Sequence, residues 1–461
     1  KAIPGGRSDL AEEQELIHVV RMKSPYIIHT KEKWDRIRKL AETKDWAKKQ
    51  ADRIIKKARN ANAADNPLLV AEAWQLTRDK KFAERVADYL RGFKTTIKEV
   101  RQGGLLERKR RHRNLARAYD MVRDAGVFTE EEKQKIEAEF RTFLDAARRM
   151  ADHVGNQPLS MVNSALITAL AIQDWYWVER FLKGPCGIEW QIRRGIIDDG
   201  WWVEMSTSYN LWCAGMLTKV GLAMSPWGVE VLENKYPAVY HEGTRNWGKP
   251  GKAVEARWEG TGIYPAVWGP SYRSYRQIRD LWDATLPLIN EDGTMPGLND
   301  SPPEQNAGNR LKLAAYAYED PEFIRHSSGQ SLMYPLDRSE VQEKEAKKGK
   351  EDALLPSSVA DNAGVAMLRS QGVDSPHKQY QALLSYGSHG GHHGHWDRLG
   401  MIYLRRFGKL LTHTPARWYG YGTMMYQMGL YQCSLAHSMV IVDGKNQYPA
   451  PSSQLLYHAG D

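Results

Sequence analysis

The spacing of apolar residues changes character once along these 461 residues, and that change limits the fold more than any other feature. From Lys31 to about residue 330, apolar side chains recur every three or four positions, the spacing of one helix face. Trp34, Ile37, Leu40, Ala47, Ala51 and Ile54 set the pattern, with Lys and Arg between them. Thr30 stands at a cap position, Asn66-Pro67 places a capping amide ahead of a first-turn proline, and Thr129-Glu130-Glu131-Glu132 is a capping box. Pro158 opens a strongly apolar helix through Val162, Leu166, Ala169 and Leu170, and another is expected from about Val203 to Met224. No strict repeat recurs, which argues against a fixed-period solenoid and for a curved or closed array of helix hairpins.

Residues 338–352 are charged and poor in apolar side chains, as in a solvated helix or linker. Beyond them, residues 363–369, 380–386, 399–406 and 437–442 are short β-rich runs split by Gly, Asp and Asn, and Asp443-Gly444 is a hairpin signal. The expected organisation is multidomain α+β, with a helical domain over 1–340, a charged linker over 341–355 and an antiparallel β domain over 356–461. About 110 residues are few for a large sandwich, so the β domain is expected to be its N-terminal part.

Composition narrows function only slightly. No run approaches the roughly 18 apolar residues of a membrane span. Three cysteines, Cys186, Cys213 and Cys433, form neither a disulfide framework nor a zinc ribbon. The net charge of +9 agrees with an acidic partner, yet the basic residues are dispersed and no nucleic-acid module is present. Sixteen Trp and 22 Tyr against 8 Phe favour a surface that stacks on a ligand while keeping a polar edge wet. The chain starts at Lys1 without a signal-like segment and reads as a trimmed sequence.

Three clusters carry candidate chemistry. His393 and His395 sit in a Gly/His loop, Ser388 to Asp397, and would point the same way in an extended segment. With His413 and His437 downstream, His395 forms a candidate three-nitrogen metal site; the alternative is a Gly/His loop without metal. Asp198 to Asn210 holds Gly200, Trp201, Trp202, Glu204 and Tyr209 at a helix entrance, with core burial of Tyr209 as the alternative. Asn156-Gln157-Pro158 places two amides at a helix N-terminus, where they can donate to a carboxylate or where Asn156 simply caps.

Together these segments resemble the heparinase II/III-like polysaccharide lyases. The similarity runs through Ser24 to Trp34, Ala118 to Val122, Asp199-Gly200 to Tyr209, His393-Gly394-His395-Trp396-Asp397, Phe407 to Leu411, Tyr419-Gly420 and Ala436 to Gly444, in order. The resemblance implies an N-terminal (α/α) toroid and a C-terminal antiparallel β-sandwich. It also implies a secreted or periplasmic enzyme that cleaves a uronate-containing polysaccharide by β-elimination. Tyr209 and His393 then correspond to the catalytic Tyr and His, and Asn156 with Gln157 to the carboxylate neutraliser. Tyr419 corresponds to a second Tyr, with Tyr421 a rival. His395 and His437 match two ligands of a structural divalent site, zinc in the family, and His413 stands where many relatives have Asp. Trp201, Trp202, Glu204 and Trp418 are candidates to line the sugar cleft.

Those residue types suit the chemistry. Donors on the uronate carboxylate stabilise the carbanion formed at C5. His393 or Tyr209 takes the proton, and the other serves the leaving oxygen. Two other function classes stay open on the sequence alone. One is a toroidal glycoside hydrolase using a pair among Asp198, Asp199, Glu204 and Asp300. The other is an acidic-glycan-binding protein without turnover.

Overall fold

The computed structural model describes residues 21–96, 105–150, 153–238, 275–336, 353–360, 363–387, 393–413 and 432–447. Helices α1 (Lys31–Thr43), α2 (Asp45–Asn60), α3 (Pro67–Thr77), α4 (Lys80–Gly92), α5 (Leu105–Val122) and α6 (Glu130–Ala147) come first. They are followed by α7 (Asn156–Ala171), α8 (Trp175–Leu182), α9 (Ile188–Gly195), α10 (Thr207–Met224), α11 (Asp280–Asp283), α12 (Ala307–Tyr318) and α13 (Pro321–His326). The caps work as the sequence implies. Thr30 Oγ1 accepts from the Lys33 amide, Asn66 Oδ1 from that of Leu69, and both halves of the Thr129–Glu132 box are formed.

The helices make a double ring. Helices α1, α3, α5, α7, α10 and α12 pack side by side as the inner layer, and the intervening helices lie outside them. The ring closes where the Lys33 ammonium of α1 lies 5.6 Å from the centre of the Tyr316 ring of α12. Gln50 of α2 secures the closure, donating to the Gln330 carbonyl at 3.1 Å and accepting from the Leu332 amide at 2.9 Å. Helix α7 buries every side chain but that of Gln157, and α10 is nearly as enclosed. Both carry apolar residues around most of their circumference, as a helix does when neighbours surround it, with a few buried polar side chains such as Asn163 and Asn210 between them.

The ring's bore is charged. Arg113 and Arg117, one turn apart on α5, and Arg310 on α12 each act electrostatically on Lys219 of α10, and Glu72 on α3 interacts with Arg117 and Lys219. Burial, reinforced by Arg117, Arg113 and Arg310, pushes the Lys219 ammonium down to about 7, with Glu72 opposing.

The described C-terminal part is β. Strands β5 (Ser358–Ala360), β6 (Val365–Arg369), β7 (Gln381–Ser385), β8 (Gly400–Arg406) and β9 (Lys409–His413) form an antiparallel meander in chain order. Two short pairs precede it, β1 (Tyr236–Pro237) with β2 (Tyr275–Arg276), and β3 (Thr294–Pro296) with β4 (Glu304–Asn306). The runs at 363–369, 380–386 and 399–406 are therefore strands. The run at 437–442 is not. Asp443 and Gly444 do turn, both with positive φ, and the Lys445 amide reaches the Val442 carbonyl at 3.1 Å. Val440 and Val442 are exposed, however, and no described strand pairs with that run. Most of the 341–355 linker lies outside the described residues.

The meander docks on the ring through buried and half-buried polar contacts. Asp199 Oδ2 accepts from the Ala363 amide at 2.9 Å. Arg369 donates to the Pro287 and Ile289 carbonyls at 2.8 and 3.1 Å, and Asn290 Nδ2 donates to the Tyr403 hydroxyl at 2.9 Å.

The bore generates a testable sign. A lysine whose folded pKa lies below its unfolded one makes the unfolded chain bind more protons, so stability rises with pH between the two values. The unfolding free energy of the intact protein, from denaturant titration, is expected to rise between pH 7 and 9, by no more than about 1.4 kcal/mol per pH unit from this group. Lys219→Met is expected to lose that increment, and an unchanged slope in the variant would remove Lys219 as its source.

Candidate active site

The site is built around the start of α7. Gly155 precedes the helix without a side-chain cap, and Asn156 occupies its first turn. The main-chain N–H of Asn156 donates to Glu204 Oε1 at 3.0 Å, so a carboxylate sits at the positive end of the helix. A Cβ on Gly155 would lie 3.3 Å from the same oxygen, which is why a glycine suits this approach. Asn156 is thus neither a plain cap nor a free amide. Its Nδ2 lies 2.8 Å from each Glu204 oxygen and 3.0 Å from His393 Nε2. Reversing the amide would turn its oxygen toward a carboxylate, so the geometry fixes nitrogen as the group facing both.

Glu204 is delivered by a tight loop. The Ile197 amide bonds to the Trp201 carbonyl and the Val203 amide to that of Gly195, folding 195–203 back on itself. The Trp202 indole N–H then donates to Glu204 Oε2 at 3.1 Å. This corrects three sequence expectations. Trp201 and Trp202 are 1% and 0% exposed, with the Trp202 ring pressed on Gly195, and neither can stack on a sugar. Glu204, 1% exposed, holds Asn156 rather than lining a cleft. Tertiary anchoring is the physical reason: the Trp202 ring lies against Gly195 of α9 and the Trp202 main-chain N–H donates to Asn210 Oδ1 of α10 at 2.7 Å, which holds the indole in the interior.

Tyr209 stands in the first turn of α10, and its ring stacks on that of His393 with centroids 3.8 Å apart and planes 21° from parallel. Two residues 184 positions apart in sequence, one from the ring and one from the β part, therefore share a contact. Asp300, on the loop between β3 and β4, accepts from His393 Nδ1 at 2.7 Å and from His395 Nε2 at 3.1 Å. Burial raises the Asp300 carboxyl, but the hydrogen bonds from His393 and His395 outweigh it and hold the group well below the usual carboxylate range. Its neighbour Asn299 accepts from the His395 amide at 3.1 Å and donates to the Met205 carbonyl at 2.8 Å, tying the histidine loop to the entrance of α10. Gln157 is half-buried beside Asn156. Tyr419, Tyr421 and Trp418 lie outside the described residues.

A second group lies behind His393. The ligating atoms of His395, Asp397 and His437 all fall within 4.8 Å of one another, and all three residues are buried. His395 Nδ1 and Asp397 Oδ2 have no hydrogen-bond partner there. Two imidazoles and a carboxylate suit a divalent transition metal, and a ligating His usually donates its second nitrogen to a carboxylate, as His395 does to Asp300. The residues present therefore fit a cation. The expected set of His395, His413 and His437 is revised by the addition of Asp397, whose place in the His-Gly-His-Trp-Asp segment was the available signal. His413 ends β9, and its side chain lies outside the described residues.

No family model matches the sequence, and no curated protein matches it. Solved structures do. One heparinase III aligns with a TM-score of 0.51 and 14% identity, over 84% of this chain and 56% of that one. A second heparinase III aligns at 0.53 and 13%, over 82% and 54%. A mutant of the heparan sulfate lyase HepC from Pedobacter heparinus aligns at 0.50 and 15%, over 82% and 52%. The fold is that of heparinase III. It comprises an N-terminal (α/α) toroid followed by an antiparallel β-sandwich domain, and the chain spans about half the length of these heparinase III structures. On this heparinase III fold, Asn156, Glu204 and Tyr209 come from the toroid, and His393, His395, Asp397 and His437 from the β side.

Stoichiometry tests the buried triad. Protein stripped with chelator and re-equilibrated with zinc is expected to bind one ion per chain, gaining about 2.7 kcal/mol of stability at a hundredfold excess over Kd. His437→Ala is expected to lose both the ion and the gain. Zinc uptake unaltered by that substitution would put the ion elsewhere.

Proposed function

We propose that this chain is a polysaccharide lyase that cleaves a uronate-containing polysaccharide by β-elimination. The contact between the stacked Tyr209–His393 pair and the Asn156 amide carries the reading. A neutral His393 with its proton on Nδ1, toward Asp300, presents a lone pair on Nε2. The Asn156 N–H that now meets this lone pair is the donor a uronate carboxylate would take. Substrate binding would then do two things together: charge on the carboxylate would be stabilised, and Nε2 would be released. His393 is placed to accept the C5 proton, with the Tyr209 hydroxyl serving the C4 oxygen as it leaves. The alternative assignment, Tyr209 as base, depends on which ring face carries the proton. Gln157 would add a second amide to the carboxylate, and Tyr419 and Trp418 are kept as cleft residues.

The acidic class of substrate is supported by the cations Arg113, Arg117 and Arg310 around Lys219, with Glu72 supplying an opposing charge. Arg117 is 9% exposed and its Nε has no hydrogen-bond partner. Heparan-type glycosaminoglycans, alginate and glucuronate-bearing plant or algal glycans all present the required carboxylate. A cation held by His395, Asp397 and His437, zinc by ligand type, would stiffen the histidine loop, since elimination consumes no water for a metal to activate. Such substrates are polymers met outside the cytoplasm, so a secreted or periplasmic location goes with the reading.

The hydrolase alternative fares worse. Asp198 is paired with Arg276 at 2.5 Å, Asp199 holds Ala363, Glu204 holds Asn156, and Asp300 serves two histidines. A general acid needs a raised pKa, and Asp300 has the opposite shift.

Elimination leaves a conjugated double bond that absorbs near 235 nm, and hydrolysis leaves none. A panel of acidic polysaccharides is expected to give that signal with at least one member. Tyr209→Phe should lower it by about a hundredfold or more, with folding unchanged. Reducing ends released without absorbance would establish a hydrolase instead. Binding without either product would establish a glycan-binding protein.

A further inference from the structure

The Asp300 carboxylate is 1% exposed and touches two imidazoles through different oxygens. An ionised carboxylate only accepts hydrogen bonds, so each ring nitrogen facing it carries a proton. For neutral rings that sets both tautomers, and in opposite senses. His393 has its N–H on Nδ1 and its lone pair on Nε2, where Asn156 Nδ2 lies 3.0 Å away. A neutral His395 with its N–H on Nε2 has its lone pair on Nδ1, a buried atom without a hydrogen-bond partner, in a residue grouped with Asp397 and His437. The carboxylate is itself held. Its own amide donates to the His393 carbonyl at 3.2 Å, and adjacent Asn299 bonds the His395 amide and the Met205 carbonyl.

We infer that Asp300 is a positioning residue that sets the tautomers of His393 and His395 together. Through it, the geometry of the His395–Asp397–His437 group is coupled to the imidazole at the proposed reaction centre. This rests on the lyase reading for its catalytic consequence, though not for the tautomers. A cation on His395 Nδ1 would draw that ring's N–H harder onto Asp300, leaving the carboxylate fixed where His393 needs it. Asparagine in its place has one accepting oxygen and one donating nitrogen. It cannot accept from both rings, so one imidazole must invert its tautomer or lose its partner.

The test is long-range ¹H–¹⁵N correlation of histidine-labelled protein, recorded with and without zinc, beside steady-state rates. Wild type is expected to show His393 protonated at Nδ1 and His395 protonated at Nε2 in the zinc-free state. Asp300→Asn is expected to change at least one assignment and to lower kcat by ~10²–10⁴-fold, the scale of a misplaced tautomer, with KM within about threefold. Asp300→Glu, which keeps two acceptors, is expected to regain part of the rate. A wild-type His393 protonated at Nε2, or an Asp300→Asn enzyme with wild-type kcat, overturns the inference. Should Asp300→Asn fail to fold, the wild-type spectrum alone decides. Native tautomers in a protein that yields no unsaturated product would support the positioning role while removing the lyase reading. Full activity in Asp300→Asn beside a dead Tyr209→Phe would do the reverse.

Discussion

A buried carboxylate shared by two histidines holds the two parts of this protein in working register. Taking the Asp300 charge out of water is costly unless its partners are close and well aimed, and both His393 and His395 meet that condition. Asp300 sits on a loop of the helical ring, while both histidines belong to the β side. The same contact that compensates the charge therefore docks one layer on the other. The surrounding bonds from Asp199, Asn290 and Arg369 extend the interface, but none of them touches the proposed reaction centre.

Glu204 plays the matching part inside the ring. Its carboxylate closes the N-terminus of α7, takes the Trp202 indole N–H and grips the Asn156 amide. Three kinds of donor converge on one buried anion, so the amide that faces His393 has little freedom left. This preorganisation is what an elimination site requires, since donors already in place need not reorganise as charge develops. The arrangement also explains why α7 begins at Asn156 rather than at Pro158: the polar turn ahead of the proline is anchored by Glu204 rather than left as a loop.

Much of this was legible in the sequence because it depends on local chemistry. Helix caps at Thr30, Asn66 and Thr129 rest on side chains within three residues of the groups they satisfy. The switch from helical to alternating spacing is likewise local, and three of four expected strands follow it. The pairing of Tyr209 with His393 came through resemblance rather than pattern. Readings failed where long-range packing decides. Trp201 and Trp202 looked suited to sugar stacking, yet whether an indole faces a cleft or a neighbouring helix depends on α9 and α10, not on its own segment. Asp300 stood out only as one of several carboxylates, because nothing near it in sequence announces two histidines more than ninety positions away. The run at 437–442 has strand composition and a sound turn after it, but a strand also needs a partner edge.

The central claim is that groups from the ring and from the β layer act on one sugar. Diffraction from Tyr209→Phe crystals soaked with a uronate oligosaccharide tests it most directly. The account predicts a single uronate with its carboxylate on the Asn156 amide and its C5 within reach of His393 Nε2. A uronate bound with Asn156 and His393 on different sugars, or away from both, would contradict it.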